Sequence, residues 1–116
     1  MLIAYGTDGP AMTHPVLDRD HLARYTAGDA ALEAELFSLL ESQIEACLGV
    51  LERTGDEGEW RAAAHTLKGA ARGVGAMALG EACAAAENQP LDPAAALAVR
   101  DEAEKARSAM NAAKAA

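Results

Sequence analysis

The sequence predicts an all-α domain, an up-and-down four-helix bundle with a short additional N-terminal helix covering one end. About a quarter of the 116 residues are alanine, the strongest helix former, whereas 3% are aromatic and β-branched residues are few. Apolar residues recur at three-and-four spacing, and glycine or proline separates the periodic segments. The loops between these segments are short, which favours antiparallel neighbours.

Charge and composition narrow the class of protein. The formal net charge of -8 argues against a nucleic-acid surface, because binding phosphates requires clustered Lys and Arg. No run of about 18 apolar residues is present, and the opening MLIAYGTDGP lacks the basic n-region of a signal peptide. We therefore expect a cytoplasmic protein that does not bind membranes. Cys47 and Cys83 lie outside any C-x-x-C pair, which predicts reduced core thiols and no metal site.

The chain begins with a segment that shows no sustained period. Residues 1–15 hold two glycines and two prolines, so we expect a flexible tail before a single domain at 16–116. Asp18 can then cap a short helix through about Thr26, which Gly28 is placed to end.

A long amphipathic helix follows. Asp29 is its predicted N-cap, and it runs to about Thr54 before Gly55 closes it. Three-and-four spacing predicts a buried stripe of Leu32, Leu36, Leu39, Leu40, Ile44, Cys47, Leu48 and Leu51.

The third helix opens at Asp56, where Glu59 completes a capping-box-like pair, and continues to about Val74 before Gly75. Its spacing predicts a buried stripe of Trp60, Ala63, Ala64, Leu67, Ala71 and Val74.

Two further helices complete the predicted bundle. The fourth spans roughly 76–88, and Pro90 enforces the break after it. Asp92 followed by Pro93 starts the fifth, since proline suits the first helical position, and this helix extends to about Ala113.

The third helix also carries a set of residues on its opposite side. Arg61, His65, Lys68, Gly69 and Arg72 fall within one sector, away from the predicted core stripe, so the histidine is expected to face solvent. A glycine inside a helix costs about 1 kcal/mol against alanine, so Gly69 on an exposed face requires a reason. Close approach of a partner to the imidazole is one such reason.

This set of residues suits a phosphohistidine. Nearby cations disfavour the imidazolium, so we expect His65 to stay largely neutral near pH 7 with a nucleophilic nitrogen. Lys68, Arg72 and Arg61 would stabilise a phosphoryl group on that nitrogen. The sequence offers no orienting carboxylate beside the histidine, no second base and no G-x-x-x-x-G-K-[ST] loop, so we do not expect autonomous catalysis.

The wider segment is more specific. The stretch AHTLKGAARGVGAMAL from Ala64 to Leu79, followed at helical spacing by Cys83 and Glu87, closely resembles the signature of histidine-containing phosphotransfer (HPt) domains. The lead-in LDRDHLARYTAGDAAL from Leu17 is similar to the family's short first helix and the G-D turn into its long second helix. The resemblance covers most of the chain.

The resemblance implies that His65, on a four-helix bundle, accepts a phosphoryl group from the aspartyl-phosphate of a receiver domain and passes it to another receiver. It further implies that Lys68 stabilises the phosphate, that Gly69 leaves room for the receiver and that Gly75 ends the helix. The two arginines match no diagnostic family position, so their phosphate role rests on helix geometry alone.

The implied partners are receiver domains of response regulators or hybrid histidine kinases. Small residues around His65, with exposed parts of the short and long helices, could dock an apolar receiver helix. The Mg²⁺ ion would belong to the receiver, so the chain itself needs no cofactor. We expect a monomeric phosphoryl carrier rather than an enzyme, and Met1 at the start favours a free-standing protein.

Three alternatives are weighed against this interpretation. The phosphoacceptor domain of a sensor kinase has an acidic residue and then a proline after its histidine, whereas Thr66, Leu67 and Lys68 follow here. A ferritin-like metal bundle needs Glu-x-x-His pairs, and alanine at position 62 excludes one. The remaining alternative is a non-phosphorylated helical adaptor that binds receiver or kinase domains. Loss of the histidine or lysine would mark such an adaptor, and both are present.

Overall fold

The computed structural model describes residues 14–115, and every secondary-structure element in this range is a helix. The all-α prediction is therefore confirmed. The helices are α1 (Arg19–Thr26), α2 (Ala30–Arg53), α3 (Glu57–Val74), α4 (Met77–Glu87) and α5 (Pro93–Ala115). Residues 1–13 of the expected tail lie outside the described residues. Pro15, the last residue of the expected tail, is described, and its carbonyl accepts a hydrogen bond from the Ala78 N–H at 2.9 Å.

Local capping begins four of the helices where the sequence predicts. The carboxylates of Asp18, Asp29 and Asp56 each accept a hydrogen bond from the backbone N–H three residues on, at 3.0, 3.1 and 2.8 Å. At the start of α5, Asp92 accepts from the Ala94 N–H at 2.9 Å. Side-chain acceptors thus satisfy backbone donors that the first turn of a helix leaves unpaired.

Two predicted details at helix ends are wrong. Glu59 does not reach back to the N-cap of α3; its carboxylate accepts from the Thr54 hydroxyl at 2.6 Å, and Thr54 Oγ1 accepts from the Asp56 N–H at 3.0 Å. A capping box would join the Glu59 carboxylate to the Asp56 N–H, but here each of these groups bonds to the Thr54 hydroxyl instead. At the end of α1, Ala27 rather than Gly28 takes the left-handed C-cap, with φ 54°, and Gly28 follows at φ 81°.

The core lies between the helices and is built mainly from leucine and alanine around one tryptophan. Trp60 is 2% exposed, and its Nε1–H donates to the Ala86 carbonyl on α4 at 2.7 Å, so the indole is both packed and hydrogen-bonded. Cys47 and Cys83 are free, buried thiols, as predicted. Burial raises the pKa of the Cys47 thiol. The pKa of Cys83 is raised to about 12, mainly by burial and further by its neighbours Cys47 and Glu87.

The predicted stripe of α2 is too wide. Leu39 is 63% exposed, and Leu32 and Leu36 are half-buried, whereas Phe37, outside the stripe, is 1% exposed. Helix α2 contacts α3, α5 and α1, and the sector that contains Phe37 is covered while the edge with Leu39 is open. Periodicity locates an apolar face, but the neighbours decide how much of it is covered.

Each long helix contacts the next along the chain, and α5 also contacts α2. Arg100, near the start of α5, forms two hydrogen bonds of 2.5 and 2.7 Å with Glu52, near the end of α2. The bond from Trp60 to Ala86 likewise joins the start of α3 to the end of α4. No helix of residues 14–115 is long and apolar enough to cross a membrane.

Helix α1 docks on the turn between α3 and α4. The Asp18 N–H donates to the Gly75 carbonyl at 2.8 Å, and His21 Nε2 lies 3.3 Å from the Gly73 carbonyl. Gly75 has φ 100°, and a Cβ there would lie 2.9 Å from the Asp18 carbonyl, so only glycine fits. With Leu22 fully buried, these contacts fix α1 beside the last turns of α3.

Candidate functional site

The residues singled out on the third helix lie on the outer face of α3. Arg61, His65, Gly69 and Arg72 are exposed and Lys68 is half-buried, whereas the predicted core stripe on the other side is buried. The His65 side chain is 70% exposed, near the middle of the helix. Its imidazole is therefore open to a partner and held on a rigid element.

Glu87, the last residue of α4, joins His65 to Lys68. Its Oε2 lies 3.2 Å from His65 Nδ1, and its Oε1 contacts the Lys68 ammonium. The carboxylate and lysine side chains are only 23% and 21% exposed, so the contact is partly shielded from water. We refer to these three residues as the His65 cluster.

The electrostatics of the His65 cluster decide which ring nitrogen is free. The hydrogen bond from Lys68 lowers the pKa of the Glu87 carboxyl, and the hydrogen bond from His65 adds to this effect. Partial burial acts in the opposite direction, but the pKa stays below its usual range. An ionised carboxylate can only accept hydrogen bonds, so Nδ1 must carry the proton that it accepts. In the neutral ring this leaves the lone pair on Nε2, which is the nitrogen directed away from Glu87.

The expectation that no carboxylate orients the histidine is therefore wrong. The family resemblance includes Glu87 as a residue that follows the motif at helical spacing, but it assigns no role to this carboxylate. Helices α3 and α4 contact each other, and His65 and Glu87 lie at about equal distances along the chain from the turn at Gly75 and Ala76. A second signal was available: an acidic residue at a helix C-terminus is disfavoured by the helix dipole and so needs a compensating contact.

The two arginines have carboxylate partners of their own. Arg61 Nη1 lies 3.5 Å from Glu57 one turn earlier on α3. Arg72 Nη2 donates to Glu81 on α4 at 2.9 Å, and its aliphatic part lies so close to Gly80 that a Cβ there would be 2.8 Å from the Arg72 Cγ. Of the three predicted phosphate-stabilising residues, Lys68 is thus the one that shares a partner with His65.

Gly69, like Gly73 one turn later on α3, has open space where a side chain would be. A Cβ on Gly69 would meet no atom of the described residues within 4 Å, whereas one on Gly75 or Gly80 would collide with Asp18 or Arg72. Packing within residues 14–115 therefore gives no reason for a glycine that weakens the middle of α3. Its open surface is available to a second molecule.

An apolar groove opens beside Gly69, between α2 and α3. We define the α2–α3 groove by Tyr25, Leu36, Leu39, Gln43, Gly69 and Gly73; it encloses about 300 Å³. Tyr25 and Leu39 are 68% and 63% exposed, two of the large apolar side chains that the described fold leaves uncovered. Exposed aromatic and aliphatic side chains grouped around a groove mark an interaction surface.

The site thus offers a solvent-facing imidazole bonded to a carboxylate, a lysine on that same carboxylate, and an adjacent apolar groove. Among residues 14–115, no group of three or more His, Cys, Asp or Glu is placed to hold a metal ion.

Comparison with known families places the whole site within one domain type. A family model described as Hpt domain matches residues 27–109, which include α2, α3, α4 and most of α5. No curated protein and no solved structure gives a significant match. Because the match spans well over half of the chain and contains the complete His65 cluster, the chain belongs to the Hpt domain family.

Proposed function

We propose that the protein is a histidine phosphotransfer protein of a two-component phosphorelay, in which His65 accepts a phosphoryl group from a receiver-domain aspartyl-phosphate and passes it to another receiver. Membership of the Hpt family implies a phosphotransfer role in two-component signalling. The phosphoacceptor residue and the route between two receivers are our proposal. One observation carries it: the exposed ring of His65 has Nδ1 bonded to Glu87, which leaves Nε2 as the nucleophile.

We place this site on an up-and-down bundle of α2 to α5, with α1 across one end. The contacts that join opposite ends of α2 and α5, and of α3 and α4, support antiparallel neighbours. Such a bundle presents the outer face of α3 to a partner on a rigid support. In this proposal the protein is a cytoplasmic monomer and a carrier, without kinase or phosphatase activity of its own.

The chemical step follows from the His65 cluster. The lone pair of Nε2 attacks the phosphorus of the receiver's acyl phosphate, the new N–P bond forms, and the P–O bond breaks with its electron pair leaving on the aspartate carboxylate. The Nδ1 proton stays on the ring. Lys68 would turn toward the transferred phosphoryl oxygens, because an ammonium forms strong charge-assisted hydrogen bonds with them. The receiver's own acidic pocket would supply Mg²⁺, so this chain needs no cofactor.

The α2–α3 groove is the surface that we assign to the receiver. It lies beside Gly69, one turn from His65, so a partner helix seated in it would bring its phosphoaspartate close to Nε2. An amphipathic helix with an apolar face fits a groove whose exposed side chains are Tyr25 and Leu39. The open space at Gly69 would let the receiver backbone approach α3.

Substitutions at Gly69 separate folding from docking. We expect Gly69→Ala to stabilise the fold by up to about 1 kcal/mol, because it removes the helix cost of glycine and its methyl group meets nothing. Gly69→Leu should slow transfer from receivers roughly tenfold or more, since overpacking an interface costs on the order of 1–3 kcal/mol.

These effects are measured by chemical denaturation and by the rate of phosphoryl uptake from a phosphorylated receiver. Phosphorylation by potassium phosphoramidate, a small donor that needs no docking, is the control and should be unchanged in both variants. Equal receiver-dependent rates for wild type and Gly69→Leu would contradict the assignment of the groove.

The three cations should contribute unequally to phosphoryl transfer. Lys68→Ala should lower the transfer rate roughly tenfold or more, because a hydrogen bond to a charged group contributes about 1.5–3 kcal/mol. Arg61→Ala and Arg72→Ala should change it less than about threefold, since each arginine is already paired with a carboxylate, and Arg72 lies about 10 Å along the helix axis from His65. Single-turnover transfer from one phosphorylated receiver ranks the three variants. A loss at Arg61 or Arg72 as large as that at Lys68 would contradict this ranking.

Phosphoryl uptake from receivers is the direct test of the proposal. The protein is incubated with a panel of phosphorylated receiver domains and Mg²⁺, and the label on the protein is checked for the acid lability and base stability of a phosphohistidine. Uptake followed by discharge to a second receiver is the expected result. No uptake from any receiver, with the fold intact by circular dichroism and the panel active on another carrier, would overturn the proposal and favour a non-phosphorylated adaptor.

A further inference from the structure

Glu87 contacts the ring atom that lies opposite the proposed site of phosphoryl transfer. We propose that its carboxylate is a positioning group for a proton: it keeps the proton on His65 Nδ1 after phosphorylation as well as before, so that onward transfer requires no proton from solvent. This inference rests on the proposed function. It concerns the phosphorylated ring, whereas the tautomer described above concerns the free one.

The proton balance of the transfer gives the reason. When the neutral ring attacks through Nε2, no proton leaves, so the phosphorylated ring still holds the Nδ1 proton and carries a positive charge. Onward transfer reverses this step: the N–P bond breaks, its electron pair returns to Nε2, and the neutral ring with Nδ1–H is regenerated. A phosphorylated ring that had lost its Nδ1 proton would have to leave as an imidazolate anion, which is a much poorer leaving group. The donor form is therefore the one that keeps the proton.

The geometry of the His65 cluster suits this task. Glu87 Oε2 lies 3.2 Å from Nδ1, close enough to accept its proton in a hydrogen bond and to attract the positive ring. In the free protein the other carboxylate oxygen contacts Lys68, which positions the carboxylate beside the ring before phosphorylation. When Lys68 turns toward the phosphoryl group, the full charge of the carboxylate becomes available to the ring.

The other titratable groups near the ring cannot hold the proton on His65 Nδ1. On α3, Lys68 is a cation and can only oppose the proton. The thiols of Cys83 on α4 and Cys47 on α2 are buried, and the raised pKa of each keeps it neutral. The remaining charges on this face form two ion pairs, Arg61 with Glu57 and Arg72 with Glu81. Among the described residues, Glu87 is the carboxylate within hydrogen-bond distance of the His65 ring.

Two variants distinguish a charge that holds the proton from an acceptor that only orients the ring. Glu87→Gln keeps the size of the side chain and an acceptor oxygen but removes the charge, and Glu87→Ala removes both. Glu81→Gln is the matched control, because it removes an exposed carboxylate from the same helix that contacts Arg72 and not His65. Circular dichroism verifies that each variant is folded.

The measurement is made on the full chain labelled with ¹⁵N-histidine and phosphorylated with potassium phosphoramidate. The Nδ1 chemical shift of phosphorylated His65, assigned by its absence in His65→Gln, is followed with pH and reports when the ring loses its proton. We expect Glu87→Gln and Glu87→Ala to lose it roughly one pH unit below wild type, a tenfold change in the ratio of protonated to deprotonated ring, because an adjacent opposite charge stabilises a charged form by about this much. Glu81→Gln should match wild type.

A second readout follows the same phosphorylated proteins. The rate at which they lose acid-labile phosphoryl to water should stay constant to higher pH in wild type than in the two Glu87 variants. Titration of Glu87→Gln at the same pH as wild type would overturn the inference, whether or not Glu87→Ala is shifted. Phosphorylation on Nδ1, or failure of the folded wild type to be phosphorylated, would also overturn it. Because phosphoramidate replaces the receiver, a failure of receivers to phosphorylate the protein would count against the proposed function and not against this inference.

Discussion

Replacing His65 with glutamine should abolish phosphoryl uptake from every receiver that phosphorylates the wild-type protein. Glutamine keeps a polar side chain of similar length but offers no nucleophilic nitrogen, so the N–P bond cannot form. The fold should be unaffected, because the His65 side chain is 70% exposed and α3 buries its opposite face. Acid-labile label on the protein measures uptake, and chemical denaturation measures the free energy of unfolding.

The other two histidines provide matched controls for this prediction. His14 lies near Glu81 and His21 near the Gly73 carbonyl, so neither belongs to the His65 cluster. His14→Gln and His21→Gln should therefore keep most of the uptake. Label that persists on His65→Gln, or that disappears from one of the controls instead, would show that the phosphoacceptor has been assigned to the wrong residue.

Replacing Trp60 with alanine should lower the free energy of unfolding by about 3–5 kcal/mol, the range for removing a large buried aromatic side chain. The indole is 2% exposed, and its Nε1–H bond to the Ala86 carbonyl joins the first turn of α3 to the end of α4. The variant loses packing and leaves that carbonyl without its indole donor. This loss is a large part of the stability of a small domain.

Trp60→Phe keeps part of the ring and should cost less, about 1–3 kcal/mol. It remains measurable if Trp60→Ala does not fold. Leu97→Ala, at a side chain that is 57% exposed, is the surface control and should change stability by less than about 0.5 kcal/mol. Trp60 is the only tryptophan, so unfolding is followed by far-ultraviolet circular dichroism rather than by fluorescence. A cost below 1 kcal/mol for Trp60→Ala would contradict its role as the core anchor.

Much of the helical framework could be predicted from sequence because its causes are local. Asp18, Asp29 and Asp56 cap the following turns with their own side chains, and Asp92 with Pro93 starts α5 in the same way. The exposure of the outer face of α3 follows from helical period alone. Prediction failed where a second contact competed with a local one, as at Thr54, whose hydroxyl displaces the expected capping box.

Capping signals and helical period were enough to locate the helices, the outward position of His65 and a glycine, Gly69, on the same exposed face of α3. The side chains that surround the histidine depend on how the helices pack. Glu87 reaches the ring only because α4 packs on α3, and the same packing pairs Lys68 with Glu87 and Arg72 with Glu81. Helical period and capping act over a few neighbouring residues, whereas the identity of a charge partner depends on which helices meet and at what register. Sequence spacing therefore located the exposed histidine, and helix packing supplied the carboxylate that contacts its ring.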